Sequence, residues 1–319
     1  MTILLIYGHK GWIGQQILQH LNEINTSGSF TYVCGDARVD DIDELEKEIK
    51  HYYPTHIFSL IGRTHGGGIQ TIDYLEDHLY ENIRDNLFGP MNLVKLSTKY
   101  NYHFTYMGTG CIFEYEDLND VLSTNVNTDD VTDTNNTDTN NTDTNNTDDV
   151  PYKKFGENDK PNFFGSSYSI VKGFTDQLIR NENVLNLRIR MPITSRANER
   201  NFITKITSYD KICSIPNSMS VLDELIPIMI DLIFKKHVGT INMVNPGIIS
   251  HNEILKMYKE YVEPNFVWKN FNIAEQDEIL KSKRSNNHLD TTLIEKLYPN
   301  LKNIHDSVKE CLTNYNKNH

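Results

Sequence analysis

The chain has 319 residues, of which 38% are hydrophobic and 23% charged, with a formal net charge of −12. That length can bury a large core in one large or two modest domains, no apolar run approaches the roughly 20 residues of a membrane span, and no basic stripe offers a surface to nucleic acid. Four scattered cysteines (Cys34, Cys111, Cys213, Cys311) without a CxxC pair argue against a disulfide framework or a metal site, and for a reducing, cytosol-like compartment.

The N-terminus has no basic region or cleavage site and reads as a first strand, Ile3 to Tyr7, running into Gly8-His9-Lys10-Gly11-Trp12-Ile13-Gly14. Ile13, Ile17 and Leu21 then recur at helical spacing. Glycines at a strand-to-helix turn fit a dinucleotide site: they allow the tight turn, the approach to a pyrophosphate and the packing of helix on sheet. Gly8, Gly11, Trp12, Ile13 and Gly14 are therefore candidate cofactor residues. A structural turn is the competing reading.

A second strand, Phe30 to Cys34, ends at Gly35-Asp36-Ala37-Arg38. Asp36 would take the ribose hydroxyls of NADH, whereas Arg38 would accommodate the 2′-phosphate of NADPH. Preference stays open, leaning to NADPH. A third strand, Ile57 to Ile61, leads to Gly62, Arg63, Thr64 and His65, a loop that by position covers the adenosine or ribose side of the cofactor. His65 either contacts substrate or is merely solvated. Leu79 to Tyr100 reads as helix with Asn86 and Gly89 inside it; Asn86 either orders a kink or lies on the surface.

The buried strand Phe104 to Met107 ends in Gly108-Thr109-Gly110-Cys111, at the carboxyl end of a strand, where open parallel sheets bind ligands. The composition then changes. From Ser123 to Asp149 the chain is almost all Asn, Thr and Asp, with Thr-Asp-Thr-Asn-Asn three times over, which predicts a disordered insertion at 123–149. Seven acidic residues (Asp129, Asp130, Asp133, Asp138, Asp143, Asp148, Asp149) lie there, so the rest of the chain carries only about −5. Order resumes at Pro161. Ser166 or Ser167 can cap a helix that puts Tyr168 and Lys172 on one face. A Tyr–Lys pair alone means little. Behind a glycine turn and Thr109, it completes a hydride-transfer site in which an ammonium tunes a phenol and holds the nicotinamide ribose. Leu185 to Arg190 is a strand on which Arg188 and Arg190 alternate, at least one of them structural.

The segments Tyr7 to Gly14, Gly108-Thr109-Gly110-Cys111-Ile112-Phe113-Glu114-Tyr115, Leu187 to Ile193, Asn201-Phe202-Ile203-Thr204-Lys205-Ile206-Thr207, Ile215 to Met219, Leu222 to Leu225, Asn245-Pro246-Gly247, Ser250 to Ile254, Trp268 to Phe271 and Arg284-Ser285-Asn286-Asn287 together resemble the extended short-chain dehydrogenase/reductase family. They more closely resemble the bifunctional 3,5-epimerase/4-reductases of UDP-L-rhamnose synthesis, known in plants and giant viruses. The polar tract is the departure from that pattern.

The resemblance implies an α/β fold: a Rossmann-type, doubly wound parallel sheet over 1–190 and a smaller substrate lobe, mainly 191–319. It implies UDP-4-keto-6-deoxy-D-glucose as substrate, Cys111 and Lys205 as the proton-handling pair, and NADPH (NADH being the alternative) as reductant. Tyr168 would donate a proton to the oxygen, Lys172 would tune it, and Thr109 would hold the carbonyl. Met191 would join the cofactor contacts. Asn201, Phe202, Asn217 and Arg284, with Cys111 and Lys205, would bind substrate; Arg284 is the candidate for the diphosphate, a solvated Arg being the alternative. The expected setting is cytoplasmic (host cytosol for a viral member), without nucleic-acid or membrane partners, and compatible with a homodimer. Two other readings share these residues: a reductase acting on an already epimerised dTDP- or UDP-linked sugar, and a non-catalytic, cofactor-binding regulatory subunit.

Overall fold

Strands that read as unbroken apolar runs belong to a sheet covered on both faces. The computed structural model, which describes residues 2–124 and 152–315, has such a sheet. Its elements begin with β1 (Thr2–Tyr7), α1 (Trp12–Ile24), β2 (Phe30–Cys34), α2 (Ile42–Tyr52), β3 (His56–Ser59), α3 (Leu79–Ile83), α4 (Gly89–Tyr100), β4 (His103–Thr109), α5 (Leu118–Thr124), α6 (Ser167–Ile179) and β5 (Val184–Ile189). Every residue of β3, β4 and β5 is buried. The expected insertion lies outside the described residues from 125 onward, and its first two residues close α5.

The second half holds β6 (Pro192–Ile193), α7 (Phe202–Thr207), β7 (Lys211–Ile212), β8 (Ser220–Val221), α8 (Leu222–Phe234), β9 (Gly239–Asn242), α9 (His251–Tyr261), β10 (Lys269–Asn270), α10 (Ile273–Ile279), α11 (Thr292–Leu297) and α12 (Ile304–Thr313). The main sheet is parallel throughout in the order β2-β1-β3-β4-β5-β9. One face is packed by α1 and α8 through Ile17, Leu21, Leu225 and Met229; the other by α2 and α4 through Leu45, Ile49, Leu93 and Leu96. A boundary at 190 is therefore too simple. The chain returns to the sheet with α8 and β9, because the edge of β5 and the apolar face above it still need cover. The C-terminal part has its own core, in which Ile203, Ile254, Leu255, Val308 and Leu312 meet.

The helix expected over Leu79 to Tyr100 is interrupted by a π-helical turn, Arg84–Phe88. Asn86, at its centre, is fully buried and not on the surface. Its carboxamide accepts from the Arg63 N–H (3.0 Å) and donates to the Arg63 carbonyl (2.9 Å), so the widened turn is held against the loop after β3. Arg188 is the structural member of the β5 pair: its guanidinium donates to both oxygens of Asp176 on α6, at 2.7 and 2.8 Å.

Candidate active site

The strand order reverses between β1 and β3, so the crevice of this sheet opens at their carboxyl ends. Gly8 there has a φ of +84°, and a Cβ on it would lie 2.9 Å from the Leu60 carbonyl carbon. A Cβ on Gly14 would lie 2.4 Å from the Gly8 carbonyl oxygen. Only bare backbone fits, and α1 begins behind Gly11 with no side-chain cap and no acid in its first turn. Such a helix start suits a pyrophosphate. A cleft of about 420 Å³ follows, lined among others by Gly8, Gly11, Asp36, Arg38, Gly62 and Arg63. Trp12 and Ile13 differ from expectation in one respect: their side chains pack on the core shared with α8, so only their backbone can serve this cleft.

At the rim, Lys10 donates to Asp36 at 2.7 Å and holds that carboxyl below its usual range. Arg38 pairs with Asp40 (2.6 Å) and Asp85 (3.5 Å). Arg63 is held by Asp85 (2.5 Å) and Glu81 (3.1 Å), and the Thr64 hydroxyl meets His65 Nδ1 at 3.2 Å.

The candidate reacting groups gather where β4 ends. Ser166 caps α6 by accepting from the Ser169 N–H (3.1 Å), which aims Tyr168 at Thr109. Burial and the neighbouring Cys111 push the Tyr168 phenol up, and a hydrogen bond with Thr109 draws it down. The Thr109 hydroxyl also accepts from the Cys111 N–H at 3.1 Å. Lys172 is buried; its ammonium donates to the Tyr106 hydroxyl and the Met107 carbonyl (3.2 Å), and desolvation lowers it to about 7. Lys172 thus bonds to Tyr106 and Met107, while Cys111 and Thr109 act on the Tyr168 phenol.

Cys111 and Tyr168 share a cavity of about 700 Å³ with Met191, Phe202, Arg284 and Ser285. Met191, expected beside the cofactor, stands on this wall with a left-handed φ of +41°. For a side chain with a Cβ that conformation is strained. Lys205 lies on the same helix as Phe202 but not on the cavity lining. Burial lowers its ammonium, and Arg200 and Arg284 lower it further. Arg284 reaches the cavity, although its fork is already engaged by Asp73 at 2.9 and 3.2 Å.

Two expected substrate contacts have other work. Asn201 is fully buried; it caps α7 by accepting from the Ile203 N–H (3.2 Å) and donates to the Thr194 and Arg196 carbonyls, each at 2.8 Å. Asn217 is also fully buried, accepts from Arg190 and from the Asn287 N–H (3.0 Å), and donates to Ile215 and Asn286. Asn217 has no donor or acceptor left to offer, and both N–H groups of Asn201 are engaged, so both side chains brace the walls. The sequence reading gave Ser285 and Asn287 no role beyond a resembling segment, yet their side chains clasp the Thr-Gly-Cys turn: Asn287 donates to the Gly110 and Phe113 carbonyls (2.9 Å each) and Ser285 to Phe113 (2.6 Å). Their place in the Arg284-Ser285-Asn286-Asn287 segment was the signal.

No family model matches the chain. It is 46% identical over 313 residues to protein L780 of Acanthamoeba polyphaga mimivirus, covering 97% of each. The crystal structure of the L780 UDP-rhamnose synthase matches at a TM-score of 0.84 and 45% identity, over 98% of this chain and 99% of that one. A bifunctional dTDP-4-dehydrorhamnose 3,5-epimerase/dTDP-4-dehydrorhamnose reductase of Arabidopsis thaliana is 38% identical over 315 residues, 98% of this chain and 93% of its own length. A dTDP-4-dehydrorhamnose reductase from Bacillus anthracis, solved with NADP, shares the fold at a TM-score of 0.72 and 15% identity. The chain belongs to the bifunctional 3,5-epimerase/4-reductase family of nucleotide-linked rhamnose synthesis, within the extended short-chain dehydrogenases/reductases.

Proposed function

We propose that this chain converts UDP-4-keto-6-deoxy-D-glucose into UDP-L-rhamnose, inverting C3 and C5 and then reducing the C4 ketone. The observation that carries this reading is the sharing of one cavity by the Cys111 thiol and the Tyr168 phenol, the latter hydrogen-bonded to Thr109. A ketone held there acidifies its neighbouring C–H bonds. In each inversion a C–H bond breaks, its electron pair enters the C4 carbonyl as an enolate, and a new C–H bond forms on the opposite face. Cys111 and Lys205 are the pair assigned to these transfers: a thiol can give or take a proton, and a Lys lowered by burial can release its own. Thr109 steadies the oxygen, where negative charge develops. When bound, NADPH supplies hydride to C4, and Tyr168 gives its proton to the oxygen. Lys172, tied to the β4 backbone through Met107, is in place to hold the nicotinamide ribose.

NADPH is the reductant a related reductase solved with NADP points to. At the rim Asp36 is matched by Lys10, and Arg38, two residues on, would leave Asp40 and Asp85 to meet a 2′-phosphate. Burial, then Arg200 and Arg284, depress the Lys205 ammonium against an opposing Glu199; with Arg284 already on Asp73, Arg200 and Lys205 are the cations nearest to hand for a diphosphate. The four cysteines are free, which fits a cytoplasmic setting; among the described residues no helix is long and apolar enough to cross a membrane.

The test is incubation of the protein with the keto sugar and NADPH in heavy water. UDP-L-rhamnose carrying deuterium at C3 and C5 is expected. Reduction of the sugar without solvent label would leave a reductase only, and no NADPH oxidation despite tight cofactor binding would leave a regulatory subunit. For assembly, Ile170, Phe174 and Leu178 form an exposed row on α6, 40 to 54% accessible, beside Tyr80 of α3 at 70%. A second copy would cover this row. Light scattering is expected to give twice the 36.9 kDa chain mass, falling to one chain in Phe174→Glu. A monomeric wild type would refute it.

A further inference from the structure

Arg188 and Arg190 follow one another on the same side of the sheet, and both are buried, at 0 and 1% exposure. Arg188 has Asp176. Arg190 has no carboxylate partner among the described residues. Its Nη2 donates to Asn217 and to the Ser285 carbonyl (2.6 Å), its Nη1 to Ser285 Oγ (2.9 Å) and Cys111 Sγ (3.6 Å), and its Nε has no partner. A buried guanidinium surrounded only by neutral acceptors is costly, so a counter-ion is to be expected within reach.

The ionisable groups around the pair are few. Tyr115 acts on Arg190, but its phenol donates to the Pro216 carbonyl (2.9 Å) and burial keeps it protonated. His251 faces Arg190 as a neutral ring, lowered to about 4 by burial. On the Cys111 side stand Tyr168 and Lys172 of α6, and Tyr74 belongs to the same apolar cluster. Among the described residues, the Cys111 sulfur, 3.6 Å from Nη1, is left as the one group here suited to carry negative charge. The turn that bears it is fixed: the Ser169 hydroxyl donates to the Cys111 carbonyl at 2.7 Å and Asn287 to that of Gly110 at 2.9 Å.

We propose that Arg190 is the positioning residue and counter-ion of Cys111, holding the sulfur as a thiolate aimed into the substrate cavity. On whichever half of an inversion the sulfur accepts a proton, the C–H bond breaks, an S–H bond forms, and the electron pair passes to the enolate; returning the proton regenerates the Arg190–thiolate pair. This catalytic consequence rests on the assignment of Cys111 as a proton-handling group. The charge pairing does not.

The experiment is the rate of iodoacetamide alkylation at Cys111 in the full chain, read by peptide mass spectrometry so that the other three cysteines do not contribute. Wild type, Arg190→Met and Arg190→Lys are compared from below pH 7 to about pH 10. Near pH 7 the Met variant is expected to react about tenfold or more slowly, the scale set by an opposite charge within a few ångströms of an ionising group. Lys is expected to restore most of the rate, and the wild-type to Met ratio to close towards one at high pH, where the thiol ionises unaided. Equal rates throughout, or a ratio that does not change with pH, would overturn the proposal, since a purely structural role gives the latter. Should Arg190→Met fail to fold, wild type alone decides: a rate that varies little between neutral pH and about pH 9 supports the pairing, and one that climbs in proportion to hydroxide overturns it. If the pairing holds while Cys111→Ala still exchanges C3 and C5 protons, the assignment of Cys111 to proton transfer fails and the pairing stands.

Discussion

In Cys111→Ala, deuterium uptake at C3 and C5 of the keto sugar is expected to fall by about 10³-fold, within the range that one positioned acid–base group contributes. Reduction of a substrate supplied with both centres already inverted should stay within a few-fold of wild type. The separation follows from the geometry. The thiol lies on the cavity wall, whereas the groups around the carbonyl, Thr109 and Tyr168, are held from β4 and the capped start of α6 and do not depend on the sulfur for their position. Exchange measured by NMR without NADPH, beside single-turnover NADPH oxidation with the inverted substrate, reads the two halves apart. Unchanged C5 exchange would remove Cys111 from the mechanism.

Tyr168→Phe is the reciprocal case. Loss of the phenolic proton is expected to lower hydride transfer by about 10²- to 10⁴-fold while leaving solvent exchange at C3 and C5 largely intact. The phenol is buried and its ionisation is pushed up, so it stays protonated and able to donate across the neutral range. Its loss also frees the Thr109 hydroxyl, which can still meet the carbonyl oxygen; for that reason the residual rate should not fall to zero. Persistence of the wild-type rate of NADPH oxidation would assign the proton to another donor.

The parts that could be read without coordinates are those whose cause is local. Gly8, Gly11 and Gly14 announce a turn because their spacing places strand before and helix after, and their cramped surroundings bear that out. Thr109, Cys111, Tyr168 and Lys172 could be named because a strand end and one helical turn are short-range patterns. Asn201 and Asn217 were legible only as polar residues near a site. Both are buried and hydrogen-bonded to the surrounding walls, with partners as far as 70 residues away, which gives each a supporting role the sequence does not show. Asn86 is the opposite lesson: the sequence left it between ordering a kink and lying on the surface, and the π turn held through it decides for the kink.

The amino-acid order alone determined the parallel sheet, through strands apolar on both faces, and which residues are the candidates for handling hydride and protons. Tertiary structure decided which charges are left unmatched. Arg188 and Arg190 look alike along the strand; only the fold gives one of them a carboxylate from α6 and the other a sulfur from the β4 turn and a serine 95 residues distant. Backbone conformation is set by neighbours in the chain, but the field at a buried charge is set by whichever distant segments pack around it.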